Sequence, residues 1–555
     1  MKKKKSKESL KIGKINLNQF ADLPNPGLMS YLSKTEQGND AEYRTPFFKG
    51  KSLESVLLAW DKHLASIKSE MPELYAFEKD LGSKVGPLSI QKPLSERMDD
   101  IEAYYSSVED DYTFEPIPAS ALNEVLAEWD LEHGGLIIQD QYSTWENMKK
   151  STSSGLPWFT KKRVVSSSIL DSKVWYSPEN SETPMSVQFR SKREPQIKHT
   201  AAVLGWRGQE GGLDLDDVKQ RVVWMFPGTA NLQELRVYQP LIKHAQKHNL
   251  VPAWVSMEQV DAEITELFDS KNDDDLVICT DFTKFDQHFN VNCQNAALYL
   301  ISHMFSGQQG ALAKNLFNWL TSIFPIKYEI PLLIDPNHVV YGRHGMASGS
   351  GGTNADETIV HRALQYECAA STGQKLNPHS MCLGDDGIIT FPGITTNDVI
   401  DTYTSHGLEM NTTKQYVSTH DCVYLRRWHG KDYRIDGKCV GVYSTNRALG
   451  RLMEQERYYD PDKWSKQMVA LRQLSILENC KYHPLREEFV KFCMNGDKYR
   501  LGKDIPGFLD NIQSISKEAI ELMPDFLGYT KALQKDDASQ GIENWWIVQY
   551  LKSVK

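Results

Sequence analysis

Two stretches decide the fold: Leu276-Val-Ile-Cys-Thr-Asp-Phe-Thr-Lys-Phe-Asp286 and Ser380-Met-Cys-Leu-Gly-Asp-Asp-Gly-Ile-Ile-Thr-Phe391. In the first, Leu276 to Cys279 are apolar and partly β-branched, the pattern of a buried strand. Asp281 falls where that strand should end. Phe282, Phe285 and Phe289 then recur at helical spacing, which puts Asp286 on a first helical turn. An ordinary reading is available, because either Asp could simply cap the helix. In the second stretch, apolar residues flank Gly384-Asp-Asp-Gly387 on both sides. Asp-Gly between strand-like runs predicts a hairpin with two adjacent carboxylates at its tip. A Gly-Asp-Asp triplet arises by chance in about one chain in ten of this length, so it does not decide the matter alone.

Physics links the two segments. Carboxylates crowded at the tips of buried strands repel one another unless a cation joins them. Oxygen-only ligands suit magnesium, with manganese as the alternative. Two such ions about 3.5–4 Å apart clamp the attacking and leaving oxygens of an in-line phosphoryl displacement.

Between these segments lies Gly342-Arg-His-Gly-Met-Ala-Ser-Gly-Ser-Gly-Gly-Thr-Asn-Ala-Asp-Glu-Thr358. Its glycines let backbone approach a ligand closely. A helix should follow, with Asn354-x-x-Glu357 resembling a capping box. No Gly-Lys-Ser/Thr ends the loop, so it is not a Walker A loop. Upstream are two basic clusters: Lys161-Lys-Arg163, and Arg190, Lys192, Arg193 and Lys198. Lys219 and Arg221 alternate on a predicted strand and could line a channel for phosphates. A solvated strand face is the plainer reading of each cluster.

Further out, the pattern is less specific. Residues 1–50 read as an irregular arm, broken by Pro24, Pro26, Gly27, Gly38 and Pro46. Ser52 to about Leu81 reads as helical. The chain after Asp436 is mainly helical, with elements at Arg447–Tyr458 and Trp464–Leu477. Trp545-Trp546 reads as helix packing. The 555 residues carry a net charge of −10, but residues 1–14 hold seven lysines against one glutamate. The Lys2–Lys5 run reads as a basic tail touching RNA or a partner protein. An acidic protein can still bind nucleic acid through a local basic channel. Eight cysteines without a close pair argue for reduced core thiols and against a zinc ribbon. No apolar run of eighteen residues predicts a membrane span, and the start lacks a secretory signal.

In order, Asp281-x4-Asp286, Ser348-Gly349-x3-Thr353 and Gly384-Asp385-Asp386 resemble palm motifs A, B and C of viral RNA-dependent RNA polymerases. Flanking segments match as well. Ser154-Gly155-Leu-Pro157 resembles motif G at the template entrance. Lys219 and Arg221 resemble motif F, Gly407 to Lys414 motif D, and Tyr424-Leu-Arg426-Arg427 motif E. The wording of motifs A and B is similar to picobirnavirus polymerases, within the partitivirus-like double-stranded RNA viruses.

The resemblance implies an α+β right hand of fingers, palm and thumb, its antiparallel palm sheet backed by helices. The expected divisions are a bridging arm at 1–55, fingers at 56–275, and palm at 276–435 with a fingers insertion near 300–345. A thumb and C-terminal helical region at 436–555 completes them. Asp281, Asp385 and Asp386 would be catalytic and hold magnesium or manganese. Lys414 would be the general acid. Lys219, Arg221, Asp286, Ser348, Gly349, Thr353 and Asn354 would bind the nucleotide. Ser154, Gly155, Pro157, Arg190, Arg193, Arg426 and Arg427 would bind RNA. Relatives commonly place Asn four residues after the motif B Thr, whereas this chain has Glu357. The order of candidates for sensing the 2′-OH is therefore Asp286, Asn354, Glu357. Implied partners are RNA template and product, NTPs and viral capsid protein, with no membrane. The implied location is the virion interior or host cytoplasm, and the implied task is copying a double-stranded RNA genome. The alternatives are a reverse transcriptase-like enzyme and a non-enzymatic RNA-binding, capsid-associated protein.

Overall fold

The computed structural model describes residues 10–16, 18–20, 25–108, 113–460, 462–523 and 541–554. The Lys2–Lys5 run lies outside the described residues.

One mixed sheet contains β1 (Ile12–Lys14), β5 (Ala202–Gln209), β6 (Lys219–Met225), β8 (Leu332–Leu333) and β9 (His338–Val340). Its order is β1-β9-β8-β5-β6, with only β5 and β8 parallel. A small antiparallel sheet joins β2 (Lys173–Tyr176), β3 (Val187–Arg190) and β4 (Lys198–His199). The sheet that matters most joins β7 (Val277–Thr280), β10 (Met381–Leu383), β11 (Asp386–Ile389) and β12 (Tyr416–Ser418). It is antiparallel throughout, in the order β10-β11-β7-β12. Beside it lies a ribbon of β13 (Asp421–Tyr424), β14 (Arg427–Gly430) and β15 (Val442–Tyr443).

Every residue of β7 is buried, as a strand covered on both faces requires. The helix Thr353–Ser371 backs this sheet and is buried along most of its length. Gln365 on that helix donates to the carbonyls of Met381 (2.9 Å) and Ile388 (3.2 Å), pairing polar groups that would otherwise be stranded. Arg362 on the same helix donates to Ser380 O and forms an ion pair with Glu128.

Two large apolar cores divide the chain. One runs from Leu94 to Cys439 and contains the central sheet. The other joins the C-terminal helices to Phe47, Val56 and Trp60. Residues 53–64 therefore share a core with the C-terminal region. Trp545 and Trp546 pack against that core, in keeping with their reading as helix packing.

Several local expectations change. The 52–81 pattern is two helices, Leu53–Leu64 and Pro72–Lys84, because Pro72 suits only a first helical turn. The arm is more regular than expected: β1 pairs with β9, and a helix spans Pro26–Gln37. Pro26 at its start and Gly38 just past its end are the usual helix punctuation. The later helices run Thr445–Met453 and Lys466–Glu478. All eight cysteines are free and buried. Among the described residues no helix is long and apolar enough to cross a membrane.

Candidate active site

The register β7–β11 pairs Thr280 with Gly387. Asp281 and Asp386 come next on these neighbouring strands, whose backbones lie roughly 5 Å apart. Asp385 sits at the turn between β10 and β11. Two segments distant in the chain thus present three carboxylates at one sheet edge. Asp281 and Asp385 are exposed, and Asp386 is half-buried. Local turn chemistry fits: Gly384 has φ +59°, and a Cβ on Gly387 would stand 2.7 Å from the His361 ring.

The tip is braced from beneath. Thr358 Oγ1 accepts from Gly384 N–H at 2.9 Å, and His361 Nδ1 donates to Gly384 O at 2.8 Å. Burial pushes the His361 imidazole down to about 4, so it is the neutral ring that donates. Asp281 is held by Gln415, which accepts from its N–H (3.0 Å) and donates to its carbonyl (2.8 Å).

Electrostatics mark the site. Desolvation within the cleft, then the neighbouring Asp385 and Asp281, push the Asp386 carboxyl up to about 7. Desolvation and Asp286 raise Asp385 as well, against Arg221. Desolvation raises Asp281, and Lys414 opposes it. Among the described residues no group of three or more His, Cys, Asp or Glu is placed to hold a metal ion as it stands. The surroundings differ from one carboxylate to the next. Asp281 feels Lys414 and Lys84, whereas Asp385 feels Asp286 and Arg221. The donor set itself, all oxygen and mutually repelling, fits a hard divalent cation.

Arg221 on β6 reaches across to Asp286, Nη2 to Oδ2 at 2.7 Å. Lys219 is exposed on the same strand. Glu357 is buried, and burial and then Asp286 raise its carboxyl well above the usual range. A Cβ placed on Gly384 would stand 3.4 Å from Glu357 Oε2, and Glu357 Oε1 is buried without a hydrogen-bond partner. Asn354 is not a helix cap, since the helix starts at Thr353, and its Oδ1 accepts from Trp254 Nε1 at 2.8 Å.

The glycine loop is pressed onto β6. A Cβ on Gly349 would lie 1.6 Å from the Trp224 carbonyl oxygen. Ser348 Oγ donates to Val222 O (3.4 Å), and Thr353 Oγ1 to Ala347 O (3.0 Å). Behind the loop stands Glu234, fully buried, which accepts from Ser350 Oγ and from Gly351 N–H at 3.2 Å.

Other expected RNA contacts fare differently. Ser154, Gly155, Leu156 and Pro157 are all buried. Gly155 has φ +58°, and its α-carbon packs against Phe226, where a Cβ would meet a carbonyl oxygen at 2.3 Å. The segment is thus packed inside the fold, against the end of β6. Lys162 is also internal, donating to Thr152 Oγ1 (2.7 Å) and Ser153 O (2.9 Å). Arg190 and Arg193 are exposed on and after β3. Arg426, in the β13–β14 turn, lies near enough to lower both Asp385 and Asp386. Arg427 turns elsewhere, donating to Asn479 Oδ1 (3.3 Å) and stacking over Tyr443.

The sequence profile of viral RNA-dependent RNA polymerases matches residues 139–440. The chain belongs to that family. It is 54% identical to a protein named "Potential RNA-dependent RNA polymerase" from a human picobirnavirus, over 97% of this chain and 98% of that one. The crystal structure of a human picobirnavirus RNA-dependent RNA polymerase superposes with a TM-score of 0.89 and 53% identity, covering 98% of this chain and 100% of that one. An insertion-loop deletion mutant of such a polymerase gives 0.88 and 51%, with the same coverage. The right-hand α+β fold and RNA-directed RNA polymerase activity follow, and the reverse transcriptase and non-enzymatic alternatives fall away.

Several residues of this polymerase's site were not singled out from sequence. Thr358 and His361 share a helix face three apart, a pattern indistinguishable from core packing. Gln415 and Glu234 carry no local signal at all.

Proposed function

We propose that this polymerase extends an RNA strand by attack of its 3′-OH on the α-phosphate of an NTP at the β7–β11 edge. The observation that carries this is the register that sets Asp281 beside the Asp385–Asp386 turn. Asp281 and Asp385, with Asp386 as accessory ligand, would hold divalent cations, magnesium or manganese. Bound there, such ions would neutralise the charge on the attacking and leaving oxygens.

The chain's own residues do the rest. Lys219 and Arg221 bind the triphosphate. Asp286 and Glu357 read the ribose: a protonated carboxyl can donate to the 2′-OH and an ionised one can accept from it. Glu357 outranks Asn354 here, because Trp254 Nε1 already holds the Asn354 amide in place through its Oδ1. Ser348, Gly349 and Thr353 shape the loop beside the nascent pair. Lys414, near Asp281, protonates the departing pyrophosphate. Arg190, Arg193 and Arg426 meet RNA phosphates. The template is the strand of a viral double-stranded RNA genome, copied inside the virion with capsid protein as partner.

The test is Asp385→Asn, assayed for template-directed NTP incorporation with each metal. Synthesis should be abolished while RNA binding and the melting temperature hold. Near-normal synthesis would refute the assignment. Glu357→Ala should narrow the preference for NTP over dNTP, and an unchanged preference would remove Glu357 from ribose recognition.

A further inference from the structure

Away from the carboxylates, three arginines close on one glutamate. Glu210 follows β5, and its side chain is only 10% exposed. Arg447 Nε and Arg451 Nε, one turn apart on the helix Thr445–Met453, reach its Oε1 at 3.1 and 3.0 Å. Arg426 Nη1 reaches its Oε2 at 3.2 Å. Burial disfavours the charge on Glu210, but Arg451, Arg447 and Arg426 outweigh it and hold the carboxyl below the usual range. One carboxylate thus sits among three cations, leaving a local surplus of two positive charges. Three guanidinium groups converging on one pair of oxygens also make the geometry that a phosphodiester accepts.

The position is as telling as the charge. Arg426 acts at once on Glu210 and on Asp385 and Asp386. Arg426 follows β13, which packs against β11 and its Asp386, so the cage borders the catalytic turn. Its arginines come from the β13–β14 turn and the first helix after β15, whereas Glu210 comes from the β5–β6 connection. The glutamate thus ties the β5–β6 connection to the β13–β14 turn and to the helix after β15.

We propose that Arg426, Arg447 and Arg451 form a binding cage for a backbone phosphate of the RNA strand seated at the catalytic turn, and that Glu210 fills the cage while RNA is absent. The carboxylate is then an internal competitor, displaced when RNA binds. The proposal rests on the reading of residues 385–386 as the catalytic turn. Its test reads RNA binding without synthesis, so the two can fail separately.

A labelled primer–template RNA is titrated by fluorescence anisotropy, without NTP, across a salt series. Glu210→Gln removes the competing charge and should tighten RNA binding about 5-fold. Arg447→Gln/Arg451→Gln should weaken it about 10-fold and reduce the salt slope by about 1 to 2, as lost phosphate contacts do. The KM for NTP should not move in the arginine variant. Unchanged or weaker binding by folded Glu210→Gln, or an unchanged slope in the arginine variant, would overturn the proposal. A raised KM for NTP with normal RNA binding would also overturn it, because the ligand would then be the triphosphate. If Glu210→Gln melts too low to assay, Arg451→Gln alone decides by the same slope.

Discussion

Gly349→Ala tests the glycine loop with the fewest assumptions. An alanine Cβ there would begin 1.6 Å from the Trp224 carbonyl oxygen, and ordinary contact begins near 3.4 Å. The gap must therefore open by nearly 2 Å. Neither side yields cheaply. Trp224 is fully buried and stacks on His344 with ring centroids 4.3 Å apart. The loop is tied through Ser350 and Gly351 to Glu234, and through Asn231 to Gly349 O at 3.2 Å. Overpacking of this kind costs about 1–3 kcal/mol of stability. The larger effect falls on catalysis, because β6 also carries Lys219 and Arg221. A misplacement of about 1 Å at reacting groups costs on the order of 10²-fold in rate. Single-turnover incorporation of one NTP should therefore slow by about 10²-fold or more, with a modest fall in melting temperature. Gly27→Ala is the control, since its Cβ meets only Asn25 Oδ1, at 3.4 Å. A Gly349→Ala enzyme that is folded and adds nucleotide at the wild-type rate would show that the close approach to β6 has no bearing on the chemistry.

Glu234→Ala frees both Ser350 and Gly351 and should raise the KM for NTP or slow addition by about 10-fold, the worth of one or two hydrogen bonds. Glu234→Gln keeps an acceptor and should recover most of it; equal defects in the two would argue against a positioning role. Lys414→Ala should cut the pre-steady-state rate of addition by about 10²-fold, in the range of a lost general acid, and an unchanged rate would end its assigned role. Burial, and then Lys149, lower Lys162 from 10.5 to about 8. The unfolded chain therefore binds more protons at this site between pH 8 and 10.5, and folding stability rises with pH across that window. Relative to Lys162→Met, the wild type should gain up to about 3 kcal/mol there, measured by denaturant unfolding at each pH. A flat difference would mean that Lys162 is not desolvated.

Much was legible in the sequence, for reasons tied to chain distance. The strand-to-corner reading of Leu276–Asp286 and the hairpin at 384–387 depend on neighbours within a few residues, and both were realised. The helix after the glycine loop and the strand bearing Lys219 and Arg221 were also local. The helix at Pro26–Gln37 could have been read, because Pro and Gly at its ends punctuate a helix as well as break one.

What the sequence determined by itself was the set of short-range elements and the chemistry of their side chains: strands ending in acids, a tight acidic turn, a small-residue loop. Tertiary structure decided which of those side chains meet. Only sheet register sets Asp281 beside Asp386, and only packing against Phe226 buries Ser154 to Pro157. The same holds for Glu357 against Asp286, and for Glu210 inside a ring formed with Arg426, Arg447 and Arg451. Hydrophobic periodicity and turn chemistry act over a few residues. Burial, ion pairing and steric overlap act across hundreds, between groups whose separation in the chain carries no trace of their distance in space.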